Sequence, residues 1–334
     1  MNIIIPMAGM GKRLRPHTLT VPKPLISIAG KPIVEHLVEE IIKTTKEEKI
    51  EEIAFVIGDF GKEIKENLIT IAKKFNAQGK IYYQNKPLGT AHAINCAKES
   101  LKGKIIVAFA DTLFKTQFTI DNNVDGSIWV KKIENPSSFG VVITDKDNII
   151  KGFVEKPKEF VSNLAIIGIY YFKEGEKLAD KLDYLIRNDI KGNGEYQLTD
   201  ALKFMTEEGL RLKAQEVDFW FDCGNKDATV ETNKNILKLK GENYVSKSAN
   251  LINSVIISPC YIGNDVTIEN SIIGPYATVG KNTVIKQSII ENSIIQNNAN
   301  IEKCGLSNSM IGSFAKIKGK LSDLSLSDYS NINL

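Results

Sequence analysis

Histidine and cysteine are scarce in this 334-residue chain, and their scarcity excludes several kinds of site. The three histidines, His17, His36 and His92, all precede residue 100. The four cysteines lie far apart and form no Cys-x-x-Cys pair, which argues against a zinc site and against a disulfide framework. We therefore expect reduced, buried thiols.

Long apolar runs and a strong charge bias are also missing. No stretch reaches the roughly 18 apolar residues of a membrane span, and no charged-then-apolar leader is present. These features predict a cytoplasmic protein with no membrane partner. The formal net charge of +3 is nearly balanced, so no nucleic-acid partner is expected.

The length of the chain and the change in its residue pattern from about residue 245 onward indicate two domains. Residues 1–225 alternate β-type runs with helical patterns, which predicts an α/β domain with a largely parallel sheet. Residues 226–244 are predicted to be a connecting helix and linker, and residues 245–334 a second domain. The predicted strands are Ile3–Ile5, Ile53–Ile57, Ile81–Tyr83, Ile105–Ala108, Ser127–Val130, Gly140–Ile143 and Ala165–Phe172. The predicted helices are Ile33–Thr45, Gly61–Phe75, Thr90–Lys98, Gly175–Arg187 and Leu198–Glu208.

The second domain carries a repeat. Asn253-Ser-Val-Ile, Asn270-Ser-Ile-Ile and Gln287-Ser-Ile-Ile recur every 17 residues, and later copies are 16 apart. Aliphatic residues fall every five or six positions between them, which is the rhythm of a parallel β-helix. Because some β-helix acyltransferases use a histidine, its absence here favours a structural role. We expect homo-oligomer formation, with capping of a monomer by residues 321–326 as the alternative.

The first residues of the chain indicate a phosphate-binding turn. An apolar run, Ile3–Ile5, leads into a turn with Gly9 and Gly11, and glycines let backbone N–H groups approach a phosphate. Basic residues follow at Lys12, Arg13, Arg15 and Lys23. A Walker loop is excluded because Gly-Lys-Ser/Thr is absent. A dinucleotide fingerprint is excluded because its third glycine position holds Leu14.

Three segments together resemble a known signature. Ala8-Gly9-Met10-Gly11-Lys12-Arg13-Leu14-Arg15-Pro16, Pro22-Lys23-Pro24-Leu25 and Gly30-Lys31-Pro32 resemble the motif of the sugar-1-phosphate nucleotidyltransferases. These enzymes make nucleotide sugars such as dTDP-glucose, UDP-glucose, UDP-N-acetylglucosamine and GDP-mannose. The resemblance implies a Rossmann-like α/β nucleotidyltransferase domain with a mixed, mostly parallel sheet, followed by a left-handed parallel β-helix.

Two acids match the positions at which this family binds Mg²⁺. Asp111 ends the buried-type run Ile105-Ile-Val-Ala-Phe-Ala, and open α/β sheets bind ligands at such strand ends. Asp222 follows a second apolar run, Phe219-Trp-Phe. Two carboxylates suffice because Mg²⁺ completes its shell with phosphate oxygens and water.

The nucleotide site is implied by the same resemblance. The segment from Gln84 to Ala93 is similar to the family segment in which a glutamine side chain and a glycine backbone bracket the base. Thr90 is expected to cap the following helix. Gln84 favours a pyrimidine base, although the sequence Leu-Gly-Thr-Ala-His is closer to that of uridylyl- and guanylyltransferases. The nucleotide-binding residues implied are Ala8, Gly9, Gly11, Arg13, Gln84, Gly89 and Thr90.

The sugar site is implied by Ser138-Phe-Gly140, by Val154-Glu155-Lys156-Pro157 and by two later segments. In the family the glutamate of Glu-Lys-Pro holds sugar hydroxyls and its lysine neutralises the sugar phosphate. The sugar-binding residues implied are Gly140, Glu155, Lys156, Tyr170 and Thr199.

The resulting hypothesis is in-line attack by a sugar 1-phosphate on the α-phosphate of an NTP. Arg13 would hold the β- and γ-phosphates, Lys23 the α-phosphate and Lys156 the attacking phosphate. Glucose 1-phosphate with dTTP or UTP is the preferred pair. Mannose 1-phosphate with GTP, amino-sugar phosphates, and a catalytically silent subunit that binds nucleotide sugars are the alternatives.

Overall fold

The computed structural model describes residues 1–45 and 48–319, and the chain forms two compact units. The first unit comprises Met1–Ile26 and Lys31–Asn225. The second comprises Ser27–Gly30 together with the chain from Lys226 onward. A short segment from the start of the chain therefore belongs to the later unit.

Residues 1–225 contain strands β1 to β13 and helices α1 to α5. The strands are β1 (Asn2–Pro6), β2 (Ser27–Ile28), β3 (Lys31–Pro32), β4 (Glu52–Ile57), β5 (Gln78–Tyr83), β6 (Ile105–Ala108), β7 (Thr112–Lys115), β8 (Gly126–Lys132), β9 (Gly140–Thr144), β10 (Ile150–Glu155), β11 (Leu164–Phe172), β12 (Leu212–Glu216) and β13 (Phe219–Asp222). The helices are α1 (Ile33–Thr45), α2 (Gly61–Lys74), α3 (Thr90–Asn95), α4 (Gly175–Arg187) and α5 (Leu198–Glu207).

A mixed nine-stranded sheet forms the centre of the first unit. Its main path runs β10-β9-β11-β6-β1-β4-β5, with β8 on β11 and β12 on β8. Strands β6, β1, β4 and β5 are parallel, whereas β11 is antiparallel to β6, β8 and β9. The parallel strands β1, β4 and β6 are almost entirely buried, which explains their near-continuous Ile, Val and Ala sequences. The expected Rossmann-like α/β fold is confirmed.

The predicted strands and helices of the first unit are all present, with small shifts at their ends. Helix α3 ends at Asn95 rather than Lys98, because Lys98 begins a separate 3-10 turn. Strands β7, β10, β12 and β13 were not predicted from the sequence. Two of these, β7 and β13, form a separate two-stranded sheet outside the large one.

The second unit begins its continuous part with helix α6 (Lys226–Lys240), where a helix was predicted. Fourteen short strands follow in the described residues. They are β14 (Tyr244–Val245), β15 (Asn250–Ile252), β16 (Val255–Ile256), β17 (Tyr261–Ile262), β18 (Thr267–Glu269), β19 (Ile272–Ile273), β20 (Thr278–Val279), β21 (Val284–Lys286), β22 (Ile289–Ile290), β23 (Ile294–Ile295), β24 (Asn300–Glu302), β25 (Gly305–Leu306), β26 (Met310–Ile311) and β27 (Lys316–Lys318).

These strands form three parallel stacks, as expected for the left-handed parallel β-helix that the sequence predicts. Each strand pairs with the one three positions along, at a step of 17 residues in the first coils and 16 in the later ones. The repeated aliphatic residues are buried in its core. The members of that core include Ile262, Ile268, Ile273, Val279, Ile285, Ile290, Ile295 and Ile301.

A ladder of serines supports one corner of the β-helix. The Ser271 N–H donates to Ser254 Oγ at 3.1 Å, and the Ser288 N–H donates to Ser271 Oγ at 3.0 Å. Each hydroxyl thus satisfies a buried backbone donor of the next coil, which is why serine recurs in the repeat. The predicted capping segment, residues 321–326, lies outside the described residues.

Candidate functional site

Two cavities of the first unit share part of their lining. The first, here called the glycine-turn cavity, has a volume of about 470 Å³ and is lined by Ala8, Gly9, Gly11, Lys12, Lys23, Gln84, Gly89 and Gly224, among others. The second, the aromatic cavity, has a volume of about 350 Å³ and is lined by Phe139, Gly140, Glu155, Tyr170, Thr199, Trp220 and Asp222, among others. Arg13, Thr90, Phe109 and Asp111 line both. Two molecules bound in these cavities would therefore meet at a common wall.

The glycine turn places the cations Lys12, Arg13 and Lys23 at the glycine-turn cavity. Gly11 makes this possible because its backbone is in the left-handed region. Gly11 has φ +81°, and a Cβ added there would lie 2.9 Å from Cβ of Lys23. The Thr18 hydroxyl donates to the Gly11 carbonyl at 2.9 Å. A 3-10 turn, Lys12–Leu14, follows and carries Arg13. Gly11 thus permits both the reversal of the backbone and the close approach of the Lys23 side chain.

Lys23 is paired with a carboxylate in the shared wall. Its Nζ lies 3.2 Å from Oδ2 of Asp111. The Lys23 side chain is only 9% exposed, whereas that of Asp111 is 50% exposed. A buried lysine beside an accessible carboxylate is suited to anionic oxygens that arrive together with a cation. Lys12, which was not assigned to the site from the sequence, also lines this cavity.

The two predicted metal ligands, Asp111 and Asp222, are brought together by the β7–β13 ladder. In this antiparallel pair Asp222 is the partner of Thr112, and the Cys223 N–H donates to the Asp111 carbonyl at 3.2 Å. Asp222 Oδ1 accepts a hydrogen bond from the Gly224 N–H at 2.8 Å. Two acids with accessible oxygens fit Mg²⁺, which takes phosphate oxygens and water as its other ligands. The described residues hold no cluster of three or more acidic, histidine or cysteine ligands.

Gly224 separates Asp222 from Arg13. A Cβ added at Gly224 would lie 3.0 Å from both Asp222 carboxylate oxygens and 3.2 Å from an Arg13 guanidinium nitrogen. The glycine therefore leaves room for a carboxylate and a guanidinium on either side of one backbone position. From the sequence, Gly224 was recognisable only as a glycine that follows the predicted metal ligand Asp222.

Gln84 and Gly89 are joined to each other at the edge of the glycine-turn cavity. Gln84 Nε2 donates to the Gly89 carbonyl at 3.1 Å and lies 3.1 Å from Nδ1 of His92. Burial lowers the pKa of His92, which favours its neutral form near pH 7. A neutral ring can accept the amide hydrogen, so both contacts orient the glutamine side chain.

The expectation that Thr90 caps its helix is wrong. The N-cap of α3 is Gly89, and no side-chain cap bond is formed there. Thr90 Oγ1 instead accepts a hydrogen bond from the Leu198 N–H at 2.9 Å, at the start of α5. The φ of +117° at Gly89 sets the entry of the chain into α3, which leaves the threonine inside the helix. Its hydroxyl therefore links the first turns of two helices.

Three of the predicted sugar-binding residues, Gly140, Tyr170 and Thr199, lie around the carboxyl group of a fourth, Glu155, in the aromatic cavity. Thr199 Oγ1 donates to Oε2 of Glu155 at 3.4 Å, and a Cβ on Gly140 would lie 3.0 Å from the same oxygen. Burial raises the pKa of Glu155, and the neighbouring Lys156 opposes that rise. Burial, followed by the charges of Glu155 and Asp111, raises the pKa of Tyr170. The tyrosine therefore stays protonated as a hydrogen-bond donor.

Lys156 is not among the residues that line either cavity. Its side chain is 63% exposed, and its Nζ lies 4.0 Å from Oε1 of Glu155. Its backbone has φ +45°, and its N–H donates to the Phe139 carbonyl at 3.2 Å. The structure thus holds the Lys156 backbone beside the aromatic cavity while its ammonium group faces solvent.

Aromatic residues that the sequence analysis did not assign form much of the cavity wall. Phe109 packs edge-on against Tyr170 at 6.3 Å, and Phe139 packs edge-on against Trp220 at 4.8 Å. Phe109 and Trp220 each precede a predicted metal ligand by two residues. For Trp220 this spacing was a usable signal, because it and Asp222 belong to β13 and alternate residues of a strand share a face.

Comparison with known proteins identifies relatives along most of the chain. A family profile described as nucleotidyl transferase matches residues 2–239. The low-salt glycan biosynthesis nucleotidyltransferase Agl11 of Haloferax volcanii is 28% identical over 95% of this chain and 94% of its own. The bifunctional protein GlmU of Methanococcus maripaludis is 35% identical over 82% of this chain, which spans 62% of that relative. A glucose-1-phosphate thymidylyltransferase of Streptomyces antibioticus is 28% identical over 88% and 87%.

Solved structures show the same fold. A crystal structure of UDP-glucose pyrophosphorylase complexed with UDP-glucose aligns with a TM-score of 0.57 and 24% identity, covering 71% of this chain and all but 2% of the other. No helix in the described residues is both long and apolar enough to cross a membrane.

Proposed function

This chain belongs to the nucleotidyl transferase family, and from that membership we propose that it forms a nucleotide sugar and pyrophosphate from an NTP and a sugar 1-phosphate. The resemblance to sugar-1-phosphate nucleotidyltransferases is confirmed at the level of the family. The observation that best supports the specific reaction is the wall shared by the two cavities, where Arg13, Asp111 and Phe109 face both.

In this proposal the glycine-turn cavity holds the nucleotide. Arg13 binds the β- and γ-phosphates, and Lys23 binds the α-phosphate. The 3.2 Å contact of Lys23 with Asp111 supports that role, since it keeps the ammonium group at the shared wall before substrate arrives. Lys12 supplies a third cation to the same cavity. Charge-assisted bonds of this kind stabilise a substrate with several ionised oxygens.

A phosphate oxygen of the sugar 1-phosphate attacks the α-phosphorus, and the bond from that phosphorus to the bridging oxygen of pyrophosphate breaks. The protein forms no covalent intermediate, so positioning and charge neutralisation provide the catalysis. Asp111 and Asp222 would hold Mg²⁺, which would offset charge on the attacking and leaving oxygens. Lys156 would reach the attacking phosphate from solvent by rotation of its exposed side chain.

The aromatic cavity takes the sugar. Glu155, with its raised pKa, and Thr199 offer hydrogen bonds to hydroxyl groups, while Phe109, Phe139 and Trp220 offer apolar faces for the ring. Glucose 1-phosphate is the proposed sugar phosphate. The Streptomyces relative, whose name gives glucose 1-phosphate and thymidylyl transfer, supports this choice.

A pyrimidine nucleotide, dTTP or UTP, is the proposed donor. The Gln84 side-chain amide and the Gly89 backbone lie at one edge of the cavity, and amide groups can pair with the edge of thymine or uracil. Binding of a base would replace the present Gln84–Gly89 bond. Homo-oligomer formation through the β-helix and a cytoplasmic location remain predictions from the sequence.

A substrate panel tests the proposal. The protein is incubated with Mg²⁺, each of dTTP, UTP, GTP and ATP, and glucose, mannose, glucosamine or N-acetylglucosamine 1-phosphate, with pyrophosphate release as the readout. We expect the highest kcat/KM with glucose 1-phosphate and a pyrimidine nucleotide. A preference for GTP with mannose 1-phosphate would replace the assigned substrates. Tight binding of a nucleotide sugar without turnover of any pair would contradict the proposed reaction.

A further inference from the structure

The segment Ser27–Gly30 comes shortly after Lys23 in the chain, yet it belongs to the second unit. Its centre is fixed by a buried side chain of helix α6. The Ala29 N–H donates to Oδ1 of Asn233 at 2.9 Å, and both residues are buried. A side chain of the second unit therefore satisfies a backbone donor of this early segment.

Other side chains of the same unit hold the rest of the segment. Gln296 Nε2 donates to the Ser27 carbonyl at 2.9 Å, and Lys240 Nζ donates to the Ala29 carbonyl at 3.1 Å. The Tyr261 ring lies so close to Gly30 that an added Cβ would be 2.2 Å from a ring carbon. The segment is thus bound at both of its ends.

The backbone of this segment forms a tight turn. Ala29 has φ +45° and Gly30 has φ +91°. These are the two residues between strands β2 and β3, which form a two-stranded sheet, and a two-residue hairpin turn of type I′ needs a positive φ at both positions. Alanine adopts this region less readily than glycine, so the hydrogen bonds to Ala29 add to the support that the hairpin itself gives.

Asn233 is itself held rigidly. Its Oδ1 also accepts a hydrogen bond from the Thr278 hydroxyl at 2.7 Å, and its Nδ2 donates to the Tyr276 carbonyl at 3.1 Å. The Asn233 side chain is fully buried. A satisfied buried network of this kind has one arrangement, so it transmits position well.

The connection from this segment back to Lys23 is short and structured. Lys23 begins a 3-10 turn, Lys23–Leu25, and the Ile26 N–H donates to the Lys23 carbonyl at 3.0 Å. Pro24 fixes one of the backbone angles between them. The Ile26 carbonyl accepts from the Ile33 N–H at 3.0 Å, which closes the base of the loop whose tip is Ser27–Gly30.

We infer that Asn233 is a positioning residue for Lys23: by fixing Ala29, it orders the hairpin that follows closely after the lysine that binds the nucleotide phosphate. The inference rests on the proposed function, which gives Lys23 that role. Under this inference Asn233 affects nucleotide binding through the chain itself, without lining the cavity.

The first test is hydrogen exchange in the unliganded protein, which needs no substrate. Asn233→Ala removes the acceptor of the Ala29 N–H, and we expect faster exchange in a peptide covering residues 22–30 than in wild type. Ser288→Ala is the matched control, because Ser288 is buried and its Oγ likewise accepts a backbone N–H, that of Cys304 at 3.1 Å. The control should leave exchange in residues 22–30 unchanged.

The second test is kinetic. For Asn233→Ala we expect the KM for the nucleotide to rise about tenfold, as a displaced binding group implies, with the KM for the sugar 1-phosphate within about twofold of wild type. Gln296→Ala should raise the nucleotide KM in the same direction and serves if Asn233→Ala does not fold. The inference would be overturned if Ser288→Ala changed the exchange or the nucleotide KM as much as the test variants do. It would also be overturned if neither Asn233→Ala nor Gln296→Ala changed the exchange or the nucleotide KM. A wild-type protein without transferase activity would refute the proposed function instead, and the exchange result would still decide whether Asn233 fixes the segment.

Discussion

Gly89 offers the sharpest test of how the nucleotide cavity is built, because two separate constraints exclude a side chain there. Its φ is +117°, and a Cβ would lie 2.4 Å from the carbonyl oxygen and 2.7 Å from the nitrogen of Tyr196. Both neighbours are backbone atoms, which cannot move aside as a flexible side chain would. Gly209 provides a control in the same unit, since its φ is +91° and a Cβ there would contact nothing within 4 Å.

The magnitudes of the two substitutions should differ. Gly209→Ala should cost only the left-handed conformation, about 1–2 kcal/mol. Gly89→Ala adds overpacking against the Tyr196 backbone, of about 1–3 kcal/mol, to a backbone strain of similar size. At about 3 °C per kcal/mol, the middle of the range for a domain of this size, we expect Tm to fall by about 12 °C for Gly89→Ala (about 4 kcal/mol) and by about 4.5 °C for Gly209→Ala (about 1.5 kcal/mol).

Calorimetry of both variants measures this difference, and steady-state kinetics supplies a second readout. Because the Gly89 carbonyl accepts the Gln84 amide, a shifted Gly89 should also raise the KM for the nucleotide, whereas Gly209→Ala should leave it unchanged. Equal losses of Tm in the two variants would refute the argument that the Tyr196 backbone excludes a side chain at Gly89.

Three further predictions concern charge. Asp111→Asn should abolish Mg²⁺-dependent pyrophosphate release while the protein stays folded by circular dichroism; retained turnover would remove Asp111 from the metal site. Glu155→Gln should raise the KM for the sugar 1-phosphate about tenfold through loss of charge-assisted bonds. Since burial raises the pKa of Glu155 above 4.5, the folded wild type loses stability relative to this variant as pH rises from 4.5 through that raised pKa. A free energy of unfolding that increases for wild type relative to the variant over this range would contradict the raised pKa. Burial lowers the pKa of His17 and His92 from 6.5, so the stability that depends on their neutral forms is complete above pH 6.5 and is lost as pH falls below it. Replacing both histidines with Gln should therefore make Tm depend less on pH below 6.5. A variant whose Tm depends on pH as steeply as that of wild type would contradict this prediction.

The β-helix was the part of the fold most open to prediction. Its coils contact only their neighbours, so the inward position of Ile268 or Ile285 follows from a spacing that is visible in the sequence. The parallel half of the main sheet was equally readable, because β1, β4 and β6 are buried on both faces and their sequences are continuously apolar.

The arrangement of the site was harder to predict. Asp111 and Asp222 were both identified as ends of apolar runs, but their adjacency depends on the pairing of β7 with β13, which are more than 100 residues apart. Local pattern carries no information on such long-range pairing. The prediction that Thr90 caps its own helix failed for a related reason. Its hydrogen-bond partner is the Leu198 N–H of a helix distant in sequence, whereas the local sequence indicated only a cap.

The assignment of Ser27–Gly30 to the second unit could not have been read from the sequence at all. Its neighbours in the chain are phosphate-site residues, and its partners, including Asn233, are some two hundred positions away. For Lys156 the role could be predicted from the sequence, but the position of the side chain could not. Its motif was recognisable, but the direction of its side chain depends on a backbone φ of +45° that the motif does not reveal.

The wall shared by the two cavities has a thermodynamic consequence. A molecule that fills one cavity changes the surroundings of Arg13 and Asp111 for the molecule in the other. Reciprocity then requires that the factor by which the first ligand alters the affinity of the second equals the factor in the opposite direction. Titrations performed in either order must therefore give the same total binding free energy. The coupling between the two reactants can be measured in this way without any turnover.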